Sequence, residues 1–339
     1  MKVLISFVCK NKYKNFEGER LRKCLKGALE LSGVPYTDNI GDNFDIMHLI
    51  SMDEENKIIF NNEDNKPVVI SCLYSESDPG ASYLEYKNKD GVRTYNLSTR
   101  AIKFLSKGDL ILVPSKEAKN FLIDKGINKN IEIVSSGVNV SRFDFSNNEE
   151  KQIFYRYFRE DEKKKLIMAL GDYDIAEGIT SFIDIAMQNP NCLFYYFGPT
   201  LIKYTSPKIK RLVKKAPKNA KFVGAVPDDV YKSALLNASI FLLPSYKPIG
   251  TISILEAMAA KCQIIAREEA ISFSSCLKEG ETAYVAKFSE TLSCLVKDYL
   301  EEKICSTVLQ AYQEANKYRL ENIGKQLKQY YIKTCKVNE

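Results

Sequence analysis

Short runs of apolar residues alternate along the chain with longer stretches in which apolar residues recur every three to four positions. The first pattern is typical of buried strands and the second of helices that cover a sheet. In the first half, the pattern predicts strands at 3–8, 46–50, 58–60, 68–71, 110–113 and 131–134, and helices at 19–32, 96–106 and 116–125. Strands that alternate with helices in this way indicate a parallel α/β sheet.

The alternation restarts after a polar, charged stretch at 144–165, which we interpret as a domain boundary. Beyond it the pattern predicts strands at 165–170, 192–197, 220–223, 240–243 and 263–266, and helices at 178–187, 209–215, 230–237, 252–260 and 301–335. We therefore expect an α/β fold with two Rossmann-like, doubly wound domains, 1–145 and 146–310, and a helical segment, 311–339, that packs back on the first domain. Ligands of such sheets bind at the carboxyl ends of the strands, so the expected site is a cleft between the two domains.

The composition is that of a soluble globular protein, with 45% hydrophobic and 27% charged residues in 339 positions. The apolar run at the N-terminus is too short for a signal peptide, and no window is long and apolar enough for a membrane-spanning helix. Nine scattered cysteines and a single histidine, His48, argue against a disulfide scaffold or a zinc site. We expect no metal cofactor, and free thiols favour the cytoplasm.

Much of the net charge of +6 is concentrated in residues 203–221, which contain eight bases and no acid. Either this stretch is a solvated helix face, or it attracts a phosphate-rich surface such as an anionic membrane. The stretch lacks the interleaved aromatic residues of a nucleic-acid stacking platform, so we expect no nucleic-acid partner. The predicted anion-binding residues are Lys208, Lys210, Arg211, Lys214 and Lys215.

The segment 241–260 reads as a buried strand, a short loop that contains Gly250, and a helix that begins at Thr251 or Ile252. Backbone N–H groups and the dipole at a helix N-terminus make a seat for a diphosphate. Glu256 lies about one turn into this helix, where a carboxylate can accept hydrogen bonds from a ribose diol. By itself, a strand, a glycine loop and a helix also form an ordinary structural turn.

This segment resembles the donor-site signature of the retaining family-four glycosyltransferases with the GT-B fold. Further matches follow in order along the chain, at 108–115, 134–143, 222–226, 238–245 and 277–284. The run 197–217 resembles the branch of Gram-positive bacteria and mollicutes that builds membrane glycolipids.

The resemblance implies a metal-independent transfer of a hexose, from UDP-glucose or UDP-galactose, to a lipid-linked or glycan hydroxyl with retention. It implies an enzyme in the cytoplasm, peripheral on the inner face of the cell membrane. The implied donor residues are Glu256, Gly250, Thr251, Ile252, Gly224, Val226 and Lys247. On the acceptor side, the implied loop residues are Gly18, Arg20, Cys72 and Tyr74.

Four departures from the family pattern concern chemistry. Pro248 stands where the family has an acid that grips the sugar, and Ala176 and Glu177 stand where it has a diphosphate-binding Arg and Lys. Cys72 replaces a histidine near the sugar, and the N-terminal glycine-rich loop keeps only Gly18 and Arg20. These losses fit a catalytically weak or inactive homologue that supports another glycosyltransferase, a match displaced by one or two positions, or a donor held by other groups, such as Arg20, Lys247 and Lys203. No catalytic residue is assigned, and we interpret His48 as structural.

Overall fold

The structure is a computed structural model that describes residues 1–6, 16–50, 64–72, 86–87, 93–94, 97–143, 148–198, 202–272 and 274–337. Two six-stranded parallel sheets, each flanked by helices, form the core, and a two-stranded ribbon joins Tyr86–Lys87 (β5) to Arg93–Thr94 (β6). The two doubly wound α/β units expected from the sequence are confirmed.

The first sheet has the strand order β2-β1-β3-β4-β7-β8. Its strands are β1 (Val3–Ser6), β2 (Tyr36–Thr37), β3 (Ile46–Ile50), β4 (Val68–Ser71), β7 (Leu110–Val113) and β8 (Ile131–Ile133). The helices α1 (Phe16–Leu31), α2 (Thr99–Leu105) and α3 (Lys116–Asp124) connect them. Ser98 and Ser115 cap α2 and α3, since each side chain accepts a hydrogen bond from the amide three residues later.

The second sheet has the order β11-β10-β9-β12-β13-β14, so the strand order reverses between β9 and β12. Its strands are β9 (Leu166–Leu170), β10 (Leu193–Phe197), β11 (Ala220–Gly224), β12 (Ala238–Leu243), β13 (Gln263–Arg267) and β14 (Tyr284–Ala286). The helices are α4 (Asn148–Phe158), α5 (Ile179–Gln188), α6 (Pro207–Lys214), α7 (Asp228–Asn237), α8 (Thr251–Ala259) and α9 (Ser289–Leu300). This is the strand order of a dinucleotide-binding sheet, whose ligand lies where the order reverses.

The pattern of the sequence did not predict the edge strands β2 and β14. They contain two and three residues, which is too short for an alternation of apolar and polar positions to be visible. The predicted strand at 58–60, and the end of the first strand beyond Ser6, lie outside the described residues.

The polar stretch interpreted as a boundary contains helix α4, which belongs to the second unit. Its residue Phe154 is fully buried against Tyr195 of β10, and its backbone N–H donates to Ser233 of α7 at 2.9 Å. The helix buries only two aromatic side chains, Phe154 and Tyr155, and most of its other residues are polar or charged, so its sequence resembles that of a linker.

The predicted helix at 301–335 is divided into α10 (Val308–Lys317) and α11 (Leu320–Val337). The break falls where the chain crosses back to the first unit, because the Tyr318 carbonyl accepts from the Val138 amide at 2.9 Å. Helix α11 then packs on α1 so closely that a Cβ at Gly324 would lie 2.0 Å from the Ala28 carbonyl oxygen. The first unit thus contains both the N-terminal and the C-terminal helix.

Candidate active site

A cavity of about 340 Å³ opens at the carboxyl edge of the second sheet. Leu170 at the end of β9, Phe197 at the end of β10 and Gly224 at the end of β11 line it. Residues of α1 and of the turn at 140–143 line its other side. The cavity therefore lies at the reversal of strand order and between the two units, where a ligand of this fold is expected.

The N-terminus of α8 opens onto this cavity. Gly250 precedes the helix in an extended conformation and supplies no side-chain cap, and Pro248, Ile249 and Gly250 are part of the cavity wall. The amides and the dipole of the first turn therefore favour a negative charge at this point.

Arg267, which is 2% exposed, binds the loop between β12 and α8 from the side of the protein core. Its Nε donates to the Pro244 carbonyl at 3.0 Å and its Nη2 to Ser289 Oγ at 2.8 Å, while the guanidinium lies 4.0 Å from the centre of the Tyr246 ring. The sequence reasoning missed Arg267. The available signal was a cation that directly follows the apolar run 264–266, at the end of the buried strand β13.

Glu256, on the second turn of α8, is 6% exposed and lines the cavity. Its carboxylate forms an ion pair with Arg20 Nη2, and its other oxygen lies 3.4 Å from Arg142 Nη1. Arg20 also donates to Ser253 Oγ, one turn earlier in α8, at 2.9 Å. Since Arg20 belongs to α1, the two residues predicted on opposite sides of the cleft are brought into direct contact across it.

Arg142, which the sequence reasoning did not single out, comes from the short 3-10 turn Val140–Phe143 that follows β8. Its Nη2 lies 2.7 Å from Asp228 Oδ1 at the start of α7, so this arginine connects α7 with Glu256. Burial raises the pKa of Tyr231, whose ring centre lies 5.6 Å from the Arg20 guanidinium. Burial together with the Glu256 carboxylate raises the pKa of Cys24 to about 11, so this thiol stays protonated at neutral pH.

The cavity wall carries more acidic than basic residues, which is unusual for a diphosphate-binding site. The described lining residues include the bases Arg20, Lys23 and Arg142, and the acids Glu19, Asp172, Glu177, Asp228 and Glu256. Acids thus outnumber bases by two. Gly171, which directly follows β9, forms the floor of the cavity, and the Glu177 carboxylate lies next to it. A Cβ added to Gly171 would be 2.9 Å from Glu177 Oε2. Across the described part of the chain, no three His, Cys, Asp or Glu side chains are grouped as a metal ion would require.

The other predicted site residues are distributed over several places. Gly224 and Val226 line the large cavity, whereas Thr251, Ile252 and Cys72 line a smaller one of about 40 Å³ nearby. Lys247 is 6% exposed, with its Nζ 3.6 Å from Asp174 Oδ2, and is not among the described residues that line the large cavity. Gly18 is buried in α1, and Tyr74 lies outside the described residues.

The predicted anion-binding residues lie on one exposed face of α6. At about 100° per residue, the five basic side chains occupy an arc of roughly 160°, and the helix buries Ile209 on the opposite side. None of the ion pairs formed within the described residues involves Lys208, Lys210, Arg211, Lys214 or Lys215. No helix in the described ranges combines the length and the apolar composition needed to cross a bilayer.

The family model named Glycosyl transferases group 1 matches residues 150–319, which is half of the chain and contains the whole second sheet. The chain belongs to this family. It is a glycosyltransferase by homology, and the cavity described above lies where ligands of open α/β sheets generally bind.

Two curated relatives are glycolipid enzymes. The chain is 25% identical over 314 residues to the processive diacylglycerol alpha-glucosyltransferase of Acholeplasma laidlawii, covering 92% of each protein. It is also 29% identical over 108 residues to the alpha-galactosylglucosyldiacylglycerol synthase of Streptococcus pneumoniae, covering 30% of this chain and 28% of that protein.

Solved structures confirm the GT-B fold. HepE of Anabaena, solved in complex with UDP-glucose, superposes with a TM-score of 0.73 at 12% identity, covering 97% of this chain and 99% of that one. Sucrose-phosphate synthase of Thermosynechococcus elongatus superposes with a TM-score of 0.69 at 16% identity, covering 97% of this chain and 80% of that one. The predicted family and fold are confirmed, whereas the roles of individual site residues stay predictions.

Proposed function

We propose that this glycosyltransferase moves a hexose from UDP-glucose or UDP-galactose to a lipid-linked or glycan hydroxyl, with retention at the anomeric carbon. The observation that carries the proposal is the arrangement of α8, whose N-terminus and Glu256 carboxylate face the same interdomain cavity. The names of the two relatives support a lipid acceptor, and the UDP-glucose bound to HepE supports the donor class.

In this proposal, the donor lies across the carboxyl edge of the second sheet. The ribose hydroxyls donate to the Glu256 carboxylate, and the uracil ring contacts Gly224, at the end of β11, and Val226, two residues beyond it. The diphosphate accepts hydrogen bonds from the first-turn amides of α8 beside Gly250. The sugar then points toward the first unit, which supplies the acceptor side of the cleft.

Arg20 and Arg142 take the place of the cations that Ala176 and Glu177 do not provide. Both guanidinium groups lie at the cavity wall, beside the first two turns of α8. When the ribose engages Glu256, Arg20 is released from the carboxylate and binds a diphosphate oxygen. Such positive side chains stabilise the leaving diphosphate without a metal ion, so turnover should be unaffected by EDTA.

Retention requires the diphosphate to leave from, and the acceptor hydroxyl to attack, the same face of the sugar. The bond between the anomeric carbon and the diphosphate oxygen breaks, the bond to the acceptor oxygen forms, and the acceptor proton passes to the departing phosphate. The test is to incubate the protein with labelled UDP-glucose or UDP-galactose and with diacylglycerol or its monoglucoside, and to determine the anomer of any product by NMR. The absence of both transfer and donor hydrolysis would contradict the proposal.

A second candidate is an inactive member of the family that stabilises another glycosyltransferase. The excess of acids over bases in the cavity, together with Pro248 in place of an acid, favours it. This candidate predicts no measurable binding of UDP-sugars by calorimetry and no thermal shift. It also predicts that the triple variant Pro248→Glu, Ala176→Arg, Glu177→Lys gains binding if the rest of the cavity is intact.

The basic face of α6 is proposed to rest on the anionic inner surface of the cell membrane, where a lipid acceptor is found. The exposed Tyr204 beside this helix, with Lys203 Nζ 4.9 Å from its ring centre, suits the interface between water and lipid. Each base at an anionic surface contributes about 1 kcal/mol. Flotation of the protein with vesicles that contain or lack phosphatidylglycerol tests the proposed membrane contact. If the fraction of protein that floats with the vesicles does not depend on lipid charge, the proposal is contradicted.

A matched control removes the same charge from the same unit. Replacing Lys208, Lys210, Arg211 and Lys214 by Gln should abolish flotation. Replacing Lys278, Lys287, Lys297 and Lys303, which are exposed on the segments that flank β14 and on and after α9, should not. Equal losses in both variants would show that net charge matters rather than the face of α6.

A further inference from the structure

His48 connects two hydroxyl groups inside the first unit. It lies in the middle of β3, on the same face as Ile46 and Ile50, and is 1% exposed. Its Nδ1 lies 2.5 Å from the hydroxyl oxygen of Tyr331 on α11, and its Nε2 lies 2.7 Å from Ser71 Oγ at the end of β4. A buried apolar strand thus carries one imidazole with a partner on each nitrogen.

The burial of Tyr331 fixes the direction of these hydrogen bonds. Its side chain is 0% exposed, and His48 Nδ1 is the one partner of its hydroxyl among the described residues. A buried hydroxyl proton needs an acceptor, so Tyr331 donates to Nδ1. The neutral imidazole then carries its proton on Nε2 and donates to Ser71 Oγ. The Ser71 proton is consequently directed away from His48.

Ser71 lines the small cavity of about 40 Å³ between the units. Three further hydroxyl residues, Ser135, Ser136 and Thr251, are part of its wall, and Ser136 Oγ lies 3.1 Å from Thr251 Oγ1 across the two units. The remaining described lining is apolar apart from His48 and Cys72, and no charged side chain is among it. An ionised group in this place would lack a counter-charge, whereas an uncharged oxygen on a carbon chain would not need one.

We infer that the small cavity binds an uncharged oxygen of a substrate, a hydroxyl, ether or ester oxygen, and that Ser71, positioned by His48 and Tyr331, is its hydrogen-bond donor. The cavity has room for only a few non-hydrogen atoms, such as a hydroxymethyl group. The assignment of this oxygen to the acceptor or the transferred sugar rests on the proposed function. The direction of the hydrogen bonds and the chemical class of the ligand are independent of the proposed function.

The single histidine makes the direction measurable. In a tag-free protein labelled with ¹⁵N-histidine, long-range correlation spectra contain one imidazole, and we expect the Nε2–H tautomer. Because burial lowers the pKa of His48 to about 3, the signal should not titrate between about pH 5 and 8. An Nδ1–H tautomer, or a titration near the usual pKa of histidine, overturns the inference.

The class of ligand is tested with glycerol as an uncharged probe and inorganic phosphate as a charged one. Glycerol should shift the His48 Nε2 resonance in a saturable way, and phosphate should not. The glycerol effect should disappear in Ser71→Ala but persist in Ser71→Thr, which keeps the hydroxyl, and in Ser135→Ala, a control in the same cavity. No response to glycerol, the same response in Ser71→Ala, or a response only to phosphate would overturn the inference. None of these measurements depends on turnover, so their failure is distinguishable from failure of the proposed function.

Discussion

Replacement of Arg20 by Ala separates two roles that this side chain could have toward a nucleotide donor. In the structure, Arg20 occupies the Glu256 carboxylate, the group proposed to bind ribose. If Arg20 only occludes Glu256, its removal should tighten the binding of UDP. If it moves onto the diphosphate, its removal should weaken the binding. We predict the second result.

The magnitude follows from the surroundings of Arg20. Its side chain is 13% exposed, and it is one of three described bases at a wall that also carries five acids. A hydrogen bond between charged groups contributes about 1.5–3 kcal/mol. Part of this is offset because UDP must separate Arg20 from Glu256. A net loss of about 1–2 kcal/mol corresponds to a Kd for UDP that is roughly 5–30-fold higher.

Isothermal titration calorimetry of UDP at constant ionic strength measures this change. Arg22→Ala is the matched control, because Arg22 lies on the same helix but pairs with Asp38 and Glu19 and is not among the described residues that line the cavity. The control should keep the wild-type Kd within about twofold, and Arg20→Lys should give an intermediate value. The double variant with Glu256→Ala should not show additive losses, because the two side chains are in contact.

Equal or tighter UDP binding by Arg20→Ala would refute the proposed movement of the guanidinium. A loss of the same size in Arg22→Ala would show that a general decrease in positive charge is responsible. The absence of UDP binding by the wild-type protein would instead contradict the proposed function and favour the inactive family member.

Three further predictions concern the cavity, the loop beneath it and the buried histidine. Glu177→Gln removes a carboxylate from the cavity floor and should lower the Kd for UDP by a few-fold, since repulsion at a few ångströms is on the order of 1 kcal/mol when screened; an unchanged Kd contradicts a diphosphate near this residue. Gly178→Ala should lower the free energy of unfolding, measured in urea, by at least about 2 kcal/mol. The reason is that φ of Gly178 is +75° and an added Cβ would lie 2.1 Å from the Pro244 carbonyl oxygen. The control Gly126→Ala, at φ +82° with open space around it, should cost less. Burial lowers the pKa of His48 to about 3, so the folded protein keeps this histidine neutral while the unfolded chain takes up a proton below about pH 6.5. The contribution of His48 to the free energy of unfolding is therefore fully present above that pH and decreases by about 1.4 kcal/mol per pH unit below it. Urea unfolding of wild type and His48→Gln should show this difference in slope near about pH 5–6, and parallel curves would contradict it.

The sequence by itself determined most of the regular structure. The strands Ile46–Ile50, Val68–Ser71 and Leu110–Val113 have the predicted bounds, because a buried parallel strand is a continuous apolar run that a short window contains. The strand–glycine–helix pattern likewise located Gly250 and Glu256 at the site, since the order of a strand end and a helix start is a local property.

Only the tertiary structure decided which side chains meet at the cavity. Arg20 and Glu256 are 236 positions apart, and His48 and Tyr331 are 283 positions apart, so no local pattern relates them. Arg142 and Arg267 read as ordinary charged residues until the turn at 140–143 and the strand β13 place them against α7, α8 and the Pro244 loop. Hydrophobic periodicity records which face of an element is buried. The partner of a charged or polar side chain on that face depends on how the two units pack against each other, which the spacing of residues does not contain.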